Sequence, residues 1–187
     1  GGGDAASMRY VVALTGCSGI QYGIRLLEEL DGERELIISE MGKKVLDEET
    51  GLTMEDLESN AEEVYDDDDL FAPPASGSHR FDAMIICPCT QSTLAKIATG
   101  IADTLITRAA SVTLKERRKL IIVPRETPIS AIMLENELRL AKAGAIILPA
   151  SPAFYAEPRS VDDMVNFVVG KILDQVGQEH ELFRRWE

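Results

Sequence analysis

The chain has 187 residues and a formal net charge of -13, with 32 Asp and Glu against 19 Lys and Arg. That is the length of one ordinary domain, long enough to bury a real core. The acidic balance argues against nucleic-acid or anionic-membrane partners, since both surfaces need excess positive charge. No apolar run approaches the ~18 residues of a membrane span. Three cysteines have no framework spacing, so a soluble, reducing, cytoplasmic setting is expected.

The opening "GGGDAAS" has neither the charge nor the apolar run of a signal peptide and reads as a remnant ahead of a single domain beginning at Met8. "MRYVVALTG" is then a β-branched run ending in glycine, and "SGIQYGIRLLEEL" places Ile20, Ile24, Leu27 and Leu30 at helical spacing. The same alternation repeats in "ELIIS" and "EMGKKVLDEE", in "FDAMIICP" and "TQSTLAKIATG", in "RKLIIVP" and "ISAIMLENELRLAKAG", and in "AIILPA" and "VDDMVNFVVGKILDQVG". Near-continuous apolar strands, each followed by an amphipathic helix, indicate a parallel sheet covered on both faces. The expected fold is therefore α/β, a Rossmann-like or flavodoxin-like doubly wound sheet sandwiched by helices.

The stretch from Thr50 to Arg80 reads as the one long irregular segment, and the acidic run from Asp47 to Asp69 as a solvated surface. "YDDDDLFAPP" lacks the alternating ligands and turn glycine of a calcium loop. The tail from about 176 to 187, with "EHELFRRWE", has the apolar spacing of a short helix.

In such sheets ligands sit beyond the carboxyl ends of the strands, where strand order reverses. The first exit, "TGCSG", offers small residues and the hydroxyl of Ser18, which suits either a tight turn or the approach of an anion to a helix start. It is neither a GxGxxG motif nor a P-loop. At the second exit, Cys87 and Cys89 are one residue apart, whereas redox pairs and paired zinc ligands ordinarily leave two. With His79 and His180 far off in sequence, both thiols read as packing residues and no metal is expected. The following "TQST" supplies hydroxyls and helix amides suited to a polar heterocycle or a phosphate. The third exit, "VPRETP", carries Arg125 and Glu126, with Arg108 and Lys115 one helix upstream. Either a surface ion pair or a cationic phosphate site with one proton-moving carboxylate fits that pattern.

The stretches "TGCSGIQYGIRLLEEL", "APPASGS", "GAIILPASPAFY", "VDDMVNFVVGKILD" and the long block from Cys87 to Pro128 together resemble the UbiX family of flavin prenyltransferases, from Met8 to Trp186. The resemblance implies a homo-oligomer, commonly a dodecamer, that joins a dimethylallyl group from dimethylallyl monophosphate to N5 and C6 of reduced FMN. No metal is needed, and the prenylated FMN passes to a UbiD-type decarboxylase. It further implies FMN contacts from Gly16, Cys17, Ser18, Ser39, Thr90, Gln91, Ser92, Thr93 and Arg125. Around the prenyl phosphate it implies Arg108, Lys115, Arg125, Glu126, Tyr155, Lys171 and Trp186, some lent by a neighbouring subunit. Glu126 is the implied acid and base, Ser18 its relay, and Lys115 a catalytic cation.

Three positions depart from the family pattern: Cys17 stands where Ala is frequent, Lys171 where Arg is frequent, and the segment from Gly51 to Asp69 is short and acidic. Other readings are a flavin-dependent decarboxylase of a cysteine-derived acid, which needs a histidine near the flavin and has only His79 to offer, a decarboxylase of an aromatic acid, and a non-catalytic FMN-binding protein.

Overall fold

The computed structural model describes residues 8–185. Its sheet has six parallel strands in the order β3-β2-β1-β4-β5-β6. The strands are β1 (Arg9–Leu14), β2 (Glu33–Ile38), β3 (Glu63–Asp66), β4 (Ala83–Cys89), β5 (Lys119–Pro124) and β6 (Ile146–Ile147). The helices are α1 (Ile20–Glu29), α2 (Glu40–Thr50), α3 (Met54–Glu58), α4 (Gln91–Ala98), α5 (Leu105–Lys115), α6 (Ala131–Lys142) and α7 (Val161–Gln175). The order reverses between β1 and β4, so a doubly wound sheet results and the crevice at their carboxyl ends is the expected ligand position.

Strand alternation divides the core into two layers. Val12, Leu14, Ile85 and Val123 pack with Leu27 of α1 and Val169 of α7 on one face. Val11, Ala13, Met84 and Ile122 pack with Leu94 of α4 and Ala109 of α5 on the other. Cys87 and Cys89 would share a face in a regular strand, yet they lie in opposite layers. A register shift between Ile86 and Cys89 turns the end of β4, as bulged strands do. Both thiols are wholly buried, as packing residues should be, and burial pushes both far above the ordinary thiol range.

The helix starts are capped by Ser39, Thr90, Thr104, Ser130 and Ser160, each accepting a bond from a backbone N–H of its first turn. No helix among the described residues is long and apolar enough to cross a membrane.

Three expectations need correction. The stretch from Thr50 to Arg80 is not irregular throughout, because it holds α3, the edge strand β3 and a short 3-10 turn at Pro73–Ala75. Nor is its acidic run merely solvated. Half-buried Asp67 accepts bonds from the backbone N–H groups of Leu105 and Ile106 and so holds the start of α5, while Glu62 pairs with Arg34. The tail differs as well: residues 178–185 form no helix, because Gly177 at φ 76° ends α7 and the chain turns back upon it.

Candidate active site

Thr15, 2% exposed, fixes the point where strand order reverses. Its Oγ1 donates to the carbonyl of Pro88 at 2.8 Å and accepts from the Thr90 N–H at 2.8 Å, tying the exit of β1 to that of β4. Behind this clamp α1 lies on β4 at unusually short range. A Cβ at Gly23 would fall 2.2 Å from the carbonyl oxygen of Cys87, so only glycine lets the two backbones meet.

The loop from Gly16 to Gly19 runs beneath α2. A Cβ at Gly16 would strike the Met41 Cβ at 2.2 Å, in the first turn of α2. Near the other end of that helix, Glu49 accepts from the Ser18 hydroxyl at 3.3 Å and from the Gly19 N–H at 3.2 Å. From β5, Arg125 Nε donates to the Ser18 carbonyl at 3.2 Å. Glu126 is exposed beside it and accepts from the Thr127 N–H. Cys17 feels all three groups. Burial pushes its thiol up to about 11, Arg125 opposes the rise, and the charges of Glu49 and Glu126 add to it. Two carboxylates and one guanidinium therefore converge on a single loop.

At the exit of β4, Thr90 Oγ1 accepts from the Thr93 N–H at 3.1 Å and donates to Thr93 Oγ1 at 2.8 Å. Gln91 follows, and both polar atoms of its side-chain amide are buried without a hydrogen-bond partner. Such a group costs free energy unless something pairs with it. A flavin, with ring carbonyls and ring N–H groups at its polar edge, would supply that pairing. Ser92 is exposed in the same turn, and Ser39 is at the neighbouring exit of β2, its Oγ accepting from Gly42 N–H at 3.0 Å. The residues present thus fit FMN.

The fold brings together Gly16, Cys17, Ser18, Ser39, Thr90 to Thr93, Arg125 and Glu126. Within one chain it leaves Lys115 and Lys171 away from them, while Arg108 is exposed in the first turn of α5, whose start is tied to Asp67 just past β3. Arg108 and Lys115 are exposed on α5, and Lys115 ends that helix shortly before Lys119 opens β5, at the opposite edge of the sheet. Lys171 is exposed near the end of α7, where Lys119 Nζ also reaches the carbonyl of Gln175. Tyr155 lies in the turn Phe154–Ala156, its ring edge-on to Phe167 of α7 at 5.7 Å. Trp186 lies outside the described residues.

Glu49 escaped the sequence reading because it stands in a charge run, and the signal that would have found it is the pair Gly16 and Gly42, which lets α2 cross the loop. His79, the histidine a cysteine-derived decarboxylase would require, instead faces the buried Glu35 of β2 at 2.8 and 2.9 Å. A cavity of about 560 Å³ at the amino edge of the sheet is lined by Arg9, Glu33, Arg80, Asp82, Glu116 and Arg118. Arg9 is paired with Glu33 there, and Arg118 with backbone carbonyls.

The family model described as Flavoprotein matches residues 3–173. The protein named flavin prenyltransferase UbiX from Thermoplasma acidophilum is 54% identical over 180 residues, covering 96% of this chain and all (100%) of that protein. The chain belongs to the UbiX flavin prenyltransferase family. Among solved UbiX-type structures, AnUbiX (PadA1) in complex with FMN and dimethylallyl pyrophosphate superposes with a TM-score of 0.94 at 41% identity, covering 97% of this chain and 98% of that one. A dodecameric FMN-dependent UbiX-like decarboxylase from Escherichia coli O157:H7 gives 0.93 at 43% identity, covering 96% and 100%. The UbiX family's parallel sheet and the exits of its strands are thus shared along nearly the whole chain.

Proposed function

We propose that this UbiX-family chain is a flavin prenyltransferase that joins the dimethylallyl group of dimethylallyl monophosphate to N5 and C6 of reduced FMN, releasing phosphate without a metal. The observation that carries this reading is the convergence of Glu49, Glu126 and Arg125 on the loop from Cys17 to Gly19, beside the unpartnered amide of Gln91. A flavin-only binding module has no need of two carboxylates and a cation at its mouth. The prenylated product would be consumed by a UbiD-type decarboxylase.

Reduced FMN, when bound, supplies the two nucleophilic ring positions. Thr90 to Thr93 and Ser39 hold it, and the amide of Gln91 finds its partners there. Breaking the allylic C–O bond leaves negative charge on phosphate, so fixed cations there lower the barrier. Arg125 is the cation of the exit cluster. Arg108, Lys115 and Lys171 reach the phosphate from neighbouring subunits, which is why a single chain leaves them on outer faces. Tyr155 lines the pocket and meets the dimethylallyl donor. Alkylation at N5 would release the N5 proton, which the departing phosphate can take, and ring closure would need one proton delivered to the prenyl double bond and one removed from C6. Glu126 moves protons directly, and the Ser18 hydroxyl relays to Glu49.

The test is anaerobic. The protein is mixed with reduced FMN and dimethylallyl monophosphate, and the extracted flavin is weighed by mass spectrometry. A gain of one prenyl unit is expected, and Glu126→Gln lowers its rate by about 10²- to 10⁴-fold with FMN still bound. Unchanged flavin from folded, FMN-loaded protein would overturn the proposal.

A further inference from the structure

Beyond Gly177 the chain folds back along α7, and α7 is shaped to receive it. A Cβ at Gly170 would fall 2.4 Å from Phe183 Cε1 and 2.7 Å from His180 Cε1, so the tail rests on bare helix backbone. The ring of Phe183 packs on Phe167 at 4.8 Å, and Phe167 in turn meets Tyr155 edge-on at 5.7 Å. Three aromatic rings thus run in sequence from the tail to the turn Phe154–Ala156.

Polar contacts hold the tail on either side of Phe183. His180, with its side chain 4% exposed, accepts from the Leu182 N–H at Nδ1 (3.1 Å). The proton must then be on Nε2, which donates to Asp174 Oδ1 at 2.9 Å. Arg185 donates to both oxygens of Asp174 at 3.1 and 2.8 Å, and its guanidinium lies 4.9 Å from the centre of the Phe183 ring. Arg184 reaches Glu157, just after the Tyr155 turn, at 3.1 Å.

We propose that residues 180–185 are a positioning strap, in which Phe183, seated on Gly170, backs Phe167 and thereby holds Tyr155 in place to meet the prenyl donor. Its consequence for the donor rests on the proposed function. None of the strap residues touches the reacting atoms. They act through Tyr155.

Two disruptive variants and one restoring variant test the strap. Gly170→Ala puts a methyl where the Phe183 ring lies, while alanine favours helix and keeps α7 intact. Phe183→Ala removes the ring without touching α7, and Phe183→Leu restores an apolar body. In FMN-loaded protein, both disruptive variants should speed amide exchange across residues 151–160 by about tenfold, the scale of one lost aromatic pair. The KM for dimethylallyl monophosphate should rise by about the same factor, with kcat and FMN affinity within about twofold of the parent and Phe183→Leu close to it.

Unchanged exchange in both variants would overturn the strap. Faster exchange with an unchanged donor KM would overturn its role in donor positioning. A parallel fall in FMN affinity and Tm would overturn it in favour of a merely structural role. If the parent protein transfers no prenyl group, the proposed function fails, and exchange across residues 151–160 still decides whether the strap holds the turn.

Discussion

The strand exits and the outer helix faces are built on opposite principles. At the exits, groups are placed by backbone: Thr15 ties β1 to β4, Thr90 caps its own helix, and Arg125 holds the Ser18 carbonyl, so the cluster is set by this chain's own folding. On α5 and α7, Arg108, Lys115 and Lys171 are long exposed cations that nothing in the chain gathers to one point. The first arrangement specifies a ligand's shape. The second leaves its charges on outer faces, and under the proposed function they act when another copy is alongside.

That contrast is open to experiment. Lys115→Ala, at an exposed helix end, should leave fold and FMN absorbance intact while prenyl transfer falls by about 10²-fold or more, read by steady-state turnover. Loss of FMN in that variant would erase the distinction between the two regions. At the exits the opposite holds. Thr15→Val strands the Thr90 N–H and should cost about 1–3 kcal/mol in urea unfolding, with weaker FMN binding, whereas Thr15→Ser keeps both.

A smaller effect concerns Cys17. Because burial raises its thiol to about 11, the group is protonated at neutral pH. Alkylation by iodoacetamide should rise about tenfold per pH unit and level off only near that value, since the thiolate is the nucleophile. A plateau near pH 8 would show the thiol to be far less buried. Smallest of all, Cys87→Ala and Cys89→Ala should keep FMN and turnover and lose about 1 kcal/mol each from the small cavities they leave. Loss of turnover with flavin retained would give those thiols a chemical role.

The interior of the sheet was legible in the sequence because β1, β4 and β5 are near-continuous apolar runs and β2, which opens on the polar "ERE", ends in the apolar "LII". β3 was not. Its "EVYD" has one aliphatic residue and one aromatic, and it becomes a strand only through pairing with β2, where Tyr65 meets Glu35. β6 was legible as a run yet is just Ile146–Ile147 as a strand, the chain continuing beside β5 through the Leu148 and Ala150 N–H groups. In the site, hydroxyls next to strand ends could be read directly. Glu49 could not, since its position depends on the path of α2 over the loop. The tail was misread for a related reason: its apolar residues match a helix, but the partner that decides their shape is Gly170, far back in the chain.

Gly23 sets the gauge of the whole crevice. Because the backbones of α1 and β4 meet directly at Gly23, the distance between the two elements, and with it the span between the Cys17 loop and the Thr90 loop, is set at that point by main chain and not by a side chain. Substitutions at the loops themselves, such as Cys17 for a smaller residue, then alter the lining without altering the width. A lineage can change the texture of such a slot for a long time while the slot continues to admit the same ring system.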